Sequence, residues 1–198
     1  LPGYSLTYRD KDSELNINNG IYLQMLTQIG REGYGSDIDF AKAVVEATLI
    51  RTFNNVHRIT IRGEAGVIKT NSFDEVPTSL RFYAGGDKSV RGFDYREISP
   101  TAEVIDPETG ELIVDSIGGK YLATSSVEYA YQVADNWRVA AFVDAGTATN
   151  DTSTTLTYSV GPGVHWLSPI GPVRLYVARG FAPDENTWQL HILLGPEL

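Results

Sequence analysis

Apolar and polar residues alternate with a period of two along most of this 198-residue chain. Between residues 20 and 30, for example, Leu23, Met25 and Ile29 share one face, while Gln24 lies on the other. Such segments are bounded by Gly, Pro, Asn or Asp, which favour turns. Helical spacing of apolar residues is nearly absent. The pattern therefore predicts an all-β protein made of antiparallel strands.

The alternation marks about nine strands. They are residues 4–8, 20–30, 38–53, 57–68, 121–133, 137–147, 156–166, a segment around 173–177, and 188–194. Most of them run for roughly ten residues or more, whereas strands of globular sheets usually have about five or six. A tilted strand of that greater length is long enough to cross a lipid bilayer.

The polar faces of these strands carry charges of both signs far from the strand ends. These charges are Lys42, Glu46, Arg62, Glu64, Glu128, Arg138, Asp144 and Arg174. The apolar faces are rich in Ala, Val and Leu but poor in Phe, whereas a small soluble core needs large side chains to fill it. Both features favour a transmembrane barrel with a wet lumen. Alternation alone also allows a soluble barrel or sandwich with the apolar face inside.

Aromatic residues cluster near the strand ends, where a membrane barrel carries rings at both interfaces. They are Tyr22, Phe53, Tyr121, Trp137, Trp166, Phe181 and Trp188. No run of about 18 apolar residues is present, so the sequence offers no spanning helix and any insertion must use strands. We therefore predict an antiparallel transmembrane β-barrel.

Composition excludes several other classes of function. The net charge is −9, with 25 acidic against 16 basic residues, which argues against nucleic acid as a partner. Without cysteine, the chain has no disulfides, thiolate metal sites or cysteine nucleophiles. His57, His165 and His191 lack metal-ligand spacing, and no Gly-x-Ser-x-Gly motif is present. We expect no catalytic residues, no metal site, no cofactor and no enzyme activity.

One long loop, residues 70–119, interrupts the alternation. Loops of this length are usually functional or disordered, but the glycine-rich passage at 80–93 and a probable turn at 106–110 indicate order.

Residues 86–89 read Gly-Asp-Lys-Ser. A phosphate loop requires Gly directly before Lys and a helix afterwards, so this passage is not one.

Four passages of the sequence resemble a known family. They are residues 82–93 (FYAGGDKSVRGF), 142–146 (FVDAG), 168–173 (SPIGPV) and 194–198 (LGPEL). Together they resemble the outer-membrane subunit of the translocation and assembly module, the TamA family. Its wider superfamily of bacterial surface antigens includes BamA and the two-partner secretion transporters. The resemblance covers essentially the whole chain.

The resemblance implies that the long loop folds back into the lumen, where its arginine pairs with acidic residues of the barrel wall. The matching positions are Arg91, Asp144 and Glu128. The alternation places Asp144 and Glu128 on the polar face independently of the resemblance. A guanidinium in a narrow lumen requires such partners, and its planar fork suits a bidentate carboxylate.

The neighbours of the arginine complete the implied loop motif. Val90 precedes it, Gly92 lets the chain turn tightly, and Phe93 packs as an anchor. On the barrel wall, Phe142 and Gly146 belong to the matching wall motif. These roles are implied by the resemblance.

Members of the family carry periplasmic POTRA domains and a barrel of about sixteen strands, a number within the known range of such barrels. We therefore expect residues 1–198 to be the C-terminal portion of a barrel, with the POTRA domains and first strands outside this chain. The implied location is the cell outer membrane.

The resemblance also implies the function. The protein would insert or secrete β-barrel proteins such as autotransporters through a lateral seam, with outer-membrane lipids around it and a TamB-like inner-membrane partner spanning the periplasm. An unpaired strand edge can template a substrate strand. One side of this seam would be the last strand, with Trp188, Leu190, Ile192 and Leu194 on its apolar face.

Two other interpretations remain open at this point. A passive outer-membrane pore or surface-antigen barrel would show the same alternation without needing the Arg91 contacts. A soluble lipid-binding barrel would place the apolar faces inside. Whether the apolar faces point outward or inward distinguishes the soluble barrel from the membrane barrel.

Overall fold

A computed structural model of the protein describes residues 2–34, 36–105, 110–151, 156–183 and 186–198. Its strands are β1 (Gly3–Lys11), β2 (Gly20–Gly30), β3 (Phe40–Phe53), β4 (His57–Thr70), β5 (Thr101–Ile105), β6 (Leu112–Ser116), β7 (Tyr121–Ala134), β8 (Trp137–Thr149), β9 (Thr157–Ser168), β10 (Gly171–Phe181) and β11 (Asn186–Leu194). Two short 3-10 helices, Phe73–Glu75 and Thr78–Leu80, follow β4. None of the helices described is long and apolar enough to span a bilayer.

Nine strands form one antiparallel sheet in the order β1-β2-β3-β4-β7-β8-β9-β10-β11. This confirms the predicted all-β class and the nine predicted strands. The long loop runs from 71 to 120 rather than from 70 to 119, because β4 continues to Thr70. It contains an unpredicted hairpin of β5 and β6. Of the turn predicted at 106–110, residues 106–109 lie outside the described residues.

The apolar face of the strands points outward. Its exposed residues include Leu23, Met25, Val45, Ile61, Val67, Val127, Val139, Val143, Val160, Val164, Leu175, Val177, Leu190 and Ile192. The opposite face is buried and polar, with Thr48, Arg58, Thr60, Ser126, Glu128, Arg138, Asp144, Ser159, His165 and Arg174. A soluble barrel would show the reverse, so the soluble interpretation is wrong and the predicted membrane orientation is confirmed.

Aromatic pairs mark two levels on the outer surface. Trp137 of β8 lies opposite Trp166 of β9, and their ring centroids are 6.3 Å apart. Eight residues before Trp166 in β9, Tyr158 stacks on Phe181 of β10 at 4.9 Å. Eight steps span about 26 Å along a strand, or about 20 Å along the membrane normal at a tilt of about 40°, close to the height of about 25 Å of the apolar band in outer-membrane barrels. The two levels fit the two membrane interfaces.

The connections differ at the two ends of the sheet. Tight turns join β3 to β4, β7 to β8 and β9 to β10, all at the end that carries Trp137 and Trp166, where residues 12–19 also connect β1 to β2. The long loop, at residues 71–120, and the connection at 31–39 lie at the other end. Because outer-membrane barrels have short periplasmic turns and long extracellular loops, the short-turn end is the periplasmic end.

The sheet is strongly curled, as one ionic contact shows. Glu197 accepts hydrogen bonds from Arg58 of β4 and from Arg174 of β10, the latter at 2.7 Å. Three strands separate β4 from β10 in the sheet order. Their lumen-facing side chains therefore converge on one carboxylate near the short-turn end.

The sheet ends at β1 on one side and at β11 on the other. β11 pairs along its length with β10, from Leu194 opposite Val173 to Asn186 opposite Phe181. Within the described ranges no backbone ladder joins β11 to β1. Within the residues described, each of these two strands is therefore paired on one side only.

The outward orientation predicts a depth-dependent cost for charge. Val143 lies in the middle of β8, while Val133 lies near the end of β7, and both side chains are exposed. V143R should lower the free energy of unfolding in lipid vesicles by about 2–4 kcal/mol, and V133R by only about 0–1 kcal/mol. Denaturant titration measures both variants, and equal losses would contradict the assignment of the membrane-facing surface.

Candidate functional site

The loop tip, residues 85–94, is a closed turn that carries the motif. The amide of Gly86 donates to the carbonyl of Phe93 at 3.1 Å, and the amide of Ser89 donates to the carbonyl of Gly86. Gly85 has φ of +102°, and a Cβ there would lie 2.4 Å from the carbonyl oxygen of Asp94. Only glycine fits this position. The turn therefore presents Val90 to Phe93 on a fixed backbone.

Arg91 projects from the loop tip into the lumen and binds two carboxylates. Its Nε and Nη2 donate to the two oxygens of Asp144 at 2.8 and 2.9 Å, a bidentate pair. Its Nη1 donates to Glu128 at 2.7 Å, and Nη2 also donates to Ser126 at 3.0 Å. The backbone amide of Arg91 donates to Asp144 at 3.0 Å. The structure thus brings Arg91, Asp144 and Glu128 together.

This ionic cluster is almost completely shielded from solvent, since Arg91 is 2% exposed and Asp144 is 0% exposed. Burial alone would lower the pKa of Arg91. The hydrogen bond to Asp144 and the charges of Asp144 and Glu128 outweigh burial and raise this pKa above its ordinary value. The guanidinium stays charged, and removing one partner from such a cluster typically costs about 3–5 kcal/mol.

Two aromatic rings enclose the guanidinium. Its Cζ lies 3.6 Å from the ring centroid of Phe142 and 4.6 Å from that of Tyr176. The two rings meet edge to face at 5.6 Å. Cation–π contacts of this kind gain strength when the cation is desolvated. Phe142, expected as part of the wall motif, is thus a contact surface for Arg91.

Alternate residues of β8 receive the motif. Phe142, Asp144 and Gly146 all face the lumen, because every second side chain of a strand points to the same side. Phe142 and Asp144 contact Arg91, and a Cβ at Gly146 would lie 2.8 Å from Cγ2 of Val90. The glycine leaves the space that Val90 occupies.

Gly92 and Phe93 continue the contact toward β10. Gly92 has φ of +94°, and a Cβ there would lie 2.8 Å from the amide nitrogen of Gly180. Phe93 is buried in an apolar cluster between loop and wall. That cluster also contains Ile38, Phe40, Ile68, Val76, Phe82, Ala84, Val90, Ile98, Leu122 and Ala148. The structure thus places Gly92 against β10 and Phe93 in the apolar cluster.

The residues expected to line the seam lie apart from this ionic cluster. Trp188, Leu190, Ile192 and Leu194 are exposed on the outer face of β11. Among the described residues, the hydrogen bonds and ring contacts of Arg91 go to β7, β8 and β10 and not to these four. Their role at a seam stays a prediction.

Sequence reasoning missed several residues of the site. Ser126, Tyr176 and Gly180 were not singled out, although Ser126 and Tyr176 touch Arg91 and Gly180 receives Gly92. Ser126 shares the polar face of β7 with Glu128, and that shared face is the signal that could have found it. In the described part of the chain, no group of three or more His, Asp or Glu side chains is arranged to hold a metal ion.

Comparison with known families gives one match that spans the chain. The model of the Omp85 superfamily domain matches residues 2–195. The fold is also similar to the crystal structure of BamA from Haemophilus ducreyi lacking POTRA domains 1–3, with a TM-score of 0.80 at 20% sequence identity. That likeness covers 98% of this chain and 41% of the other, and it bears on the fold alone.

Curated relatives give the same picture at the level of sequence. The chain is 33% identical over 182 residues to the outer membrane protein assembly factor BamA of Nitratidesulfovibrio vulgaris, covering 88% of this chain and 22% of that protein. The BamA of Neisseria meningitidis serogroup B is 29% identical, covering 81% and 24%. The chain thus spans about a quarter or less of the length of these relatives.

The close packing of loop on wall predicts that a side chain at Gly146 will displace the loop. G146V should lower stability by roughly 1–3 kcal/mol through overpacking and should speed proteolysis within the loop. G63V is the matched control, because a Cβ at Gly63 of β4 meets nothing nearer than 3.7 Å. Limited proteolysis in lipid nanodiscs compares the two, and equal loop cleavage would contradict the docking.

Proposed function

Because the chain belongs to the Omp85 superfamily, whose members are outer-membrane β-barrel proteins, we propose that it forms the C-terminal wall of a barrel that assembles other outer-membrane proteins. Its location is the outer membrane. The relatives named as outer membrane protein assembly factors support this activity.

The observation that carries the proposal is that β11, the last strand of the sheet, has one neighbouring strand within the described residues and turns an apolar face outward. β11 is bonded to β10 on one side only. Its outer face is apolar and exposed, with Trp188, Leu190 and Ile192 at roughly 60% or more. An edge strand carries a row of backbone donors and acceptors without partners. Within lipid such groups require a strand to pair with.

The mechanism needs no bond chemistry. A substrate strand would add to the edge of β11 by β-augmentation, so that its backbone groups are paired before they meet lipid. The register with β11 would then place the apolar side chains of the substrate strand outward and its polar side chains inward. The next substrate hairpin pairs with the first, and the new sheet grows away from the seam.

The docked loop supports this mechanism from inside. Arg91 ties the loop tip to Glu128 of β7 and Asp144 of β8, both in the interior of the sheet. These strands are paired on both sides, so the loop stands on the rigid part of the wall. The motif makes a structural contact in the lumen. We propose that it matters for function because the wall to which it fixes the loop ends at the seam.

The finer parts of the proposal rest on the resemblance to the TamA family. They are autotransporters as substrates and a TamB-like inner-membrane partner spanning the periplasm. The relatives found by comparison are named BamA, which supports assembly in general and leaves the choice of substrates and partner as a proposal. The POTRA domains and first strands expected outside this chain also stay a prediction.

The rival function is a passive pore or surface-antigen barrel. The loop tip disfavours an open pore, because it occupies the lumen between the walls formed by β7, β8 and β10. Deleting the gene separates the two. An assembly factor predicts reduced surface display of an autotransporter with unchanged solute uptake, and a pore predicts the opposite.

Cysteine crosslinking tests the seam, since the chain has no cysteine of its own. In the intact protein, I192C on β11 should form disulfides with single cysteines placed along the last strand of a substrate, because directly opposite residues have Cβ atoms about 4.5–5.5 Å apart, which a small shift brings to the roughly 3.5–4.5 Å that a disulfide spans. V143C on β8 is the matched control, with a similarly exposed outward side chain on an interior strand.

The expected pattern is crosslinking to alternate substrate positions at I192C and none at V143C. The proposal fails if the two positions crosslink alike, or if substrate inserts normally while no outward position of β11 ever crosslinks to it.

A further inference from the structure

The lumen face of β11 carries three polar side chains in alternation. Thr187, Gln189 and His191 point inward, while Trp188, Leu190 and Ile192 point outward. The outward residues meet lipid. The seam alone does not explain why the inward residues are polar. A strand can carry small apolar residues on its lumen face, as β8 does with Ala140 and Ala148.

All three inward residues bind the loop tip. The hydroxyl of Thr187 donates to the carbonyl oxygen of Gly92. The amide of Gln189 donates to the carboxylate of Asp94 at 3.0 Å. His191 accepts at Nε2 from the amide of Gly92 at 2.9 Å. The loop tip thus contacts three successive lumen-facing positions of one edge strand.

His191 joins the two sides of the closed turn. Because its Nε2 accepts from Gly92, that nitrogen carries no proton, and the ring proton of the neutral imidazole lies on Nδ1. Nδ1 contacts the carboxylate of Asp87 and donates to it. Asp87 and Gly92 lie on opposite sides of the loop tip, which is itself closed by the Gly86 to Phe93 hydrogen bond.

The same loop tip is fixed to the interior of the sheet through the adjacent residue. Arg91 binds Asp144 of β8 and Glu128 of β7, and Gly92, the next residue, binds β11. Gly92 also packs directly against Gly180 of β10. The tip therefore connects the rigid strands β7 and β8 to the edge strand by a route that is independent of the backbone ladder.

At the proposed seam β11 would have a backbone ladder to β10 alone, and edge strands belong to the less stable part of a sheet. Side-chain contacts on its lumen face can hold it without occupying those groups. We propose that the docked loop braces β11 from inside, with Thr187, Gln189 and His191 as positioning residues, and so keeps its outer backbone edge available for a substrate strand. This inference rests on the proposed function and specifies how the seam is held.

The brace is tested in the intact protein by removing its hydrogen bonds with side chains of similar size. The variant T187V/Q189L/H191L should raise backbone hydrogen exchange in β11 by about tenfold or more, because each lost hydrogen bond contributes about 1 kcal/mol. Exchange in β8 and β9 should not change. Insertion of substrate into proteoliposomes should fall by a similar factor.

Two controls distinguish the loss of the contacts between β11 and the loop tip from a general change in the polarity of the lumen. Q24A removes a glutamine of β2 whose amide bonds Thr7 of β1, and it should leave β11 exchange unchanged. T187S retains the hydroxyl donor and should behave like the unaltered protein. If the triple variant does not reach the membrane, Q189L alone tests the same contact, since Gln189 is only half-buried.

Each result decides the matter. Faster β11 exchange with reduced insertion supports the brace. Unchanged β11 exchange overturns it, whatever the insertion rate, and so does faster exchange with normal insertion. If the unaltered protein inserts no substrate, the proposed function fails, and the exchange of β11 alone then decides whether the loop holds that strand.

Discussion

The structure depends on the compensation of one buried positive charge. A guanidinium moved out of water costs several kcal/mol unless its charge and its N–H groups are matched. Arg91 is matched by Asp144 and Glu128, and its flat faces are covered by Phe142 and Tyr176. This interaction requires the polar faces of β7 and β8 to point into the lumen, and it places the long loop there as well.

The remaining architecture follows from that placement. With the polar faces turned inward, the aliphatic faces meet lipid, and paired aromatic rings mark the two interfaces. Gly146 leaves room for the side chain of Val90, and Gly180 leaves room for the backbone of Gly92. The loop then reaches β11, the last strand of the sheet. The loop thus connects the ionic contacts of Arg91 in the lumen to β11, the strand at which assembly is proposed.

Much of this fold was predictable from periodicity. Nine strands and their inside-out orientation follow from alternation, strand length and the charges on the polar faces, and the structure confirms both. The pairing of Arg91 with Asp144 and Glu128 required the resemblance to a family as well, because periodicity gives a face but not a distance. The hairpin of β5 and β6 was missed, since two strands of five residues carry too little alternation to stand out in a long loop.

The contacts that were missed all depend on how the loop lies against a curled sheet. Tyr176, Gly180, Thr187 and Gln189 meet the loop tip from β10 and β11, about ninety residues away in sequence. Likewise, Glu197 reaches Arg58 only because the sheet brings β4 and β10 toward each other. The local alternation of apolar and polar residues does not show which distant segments of the chain come together in the fold.

The most direct test of the account is a double-mutant cycle between Arg91 and Asp144, with unfolding measured in lipid. R91M and D144N should each lower the free energy of unfolding by about 3–5 kcal/mol, because each leaves a buried group without its partner. The double variant should cost at least about 2 kcal/mol less than the sum of the two, which is the signature of direct coupling. Additivity within about 0.5 kcal/mol would contradict the central claim.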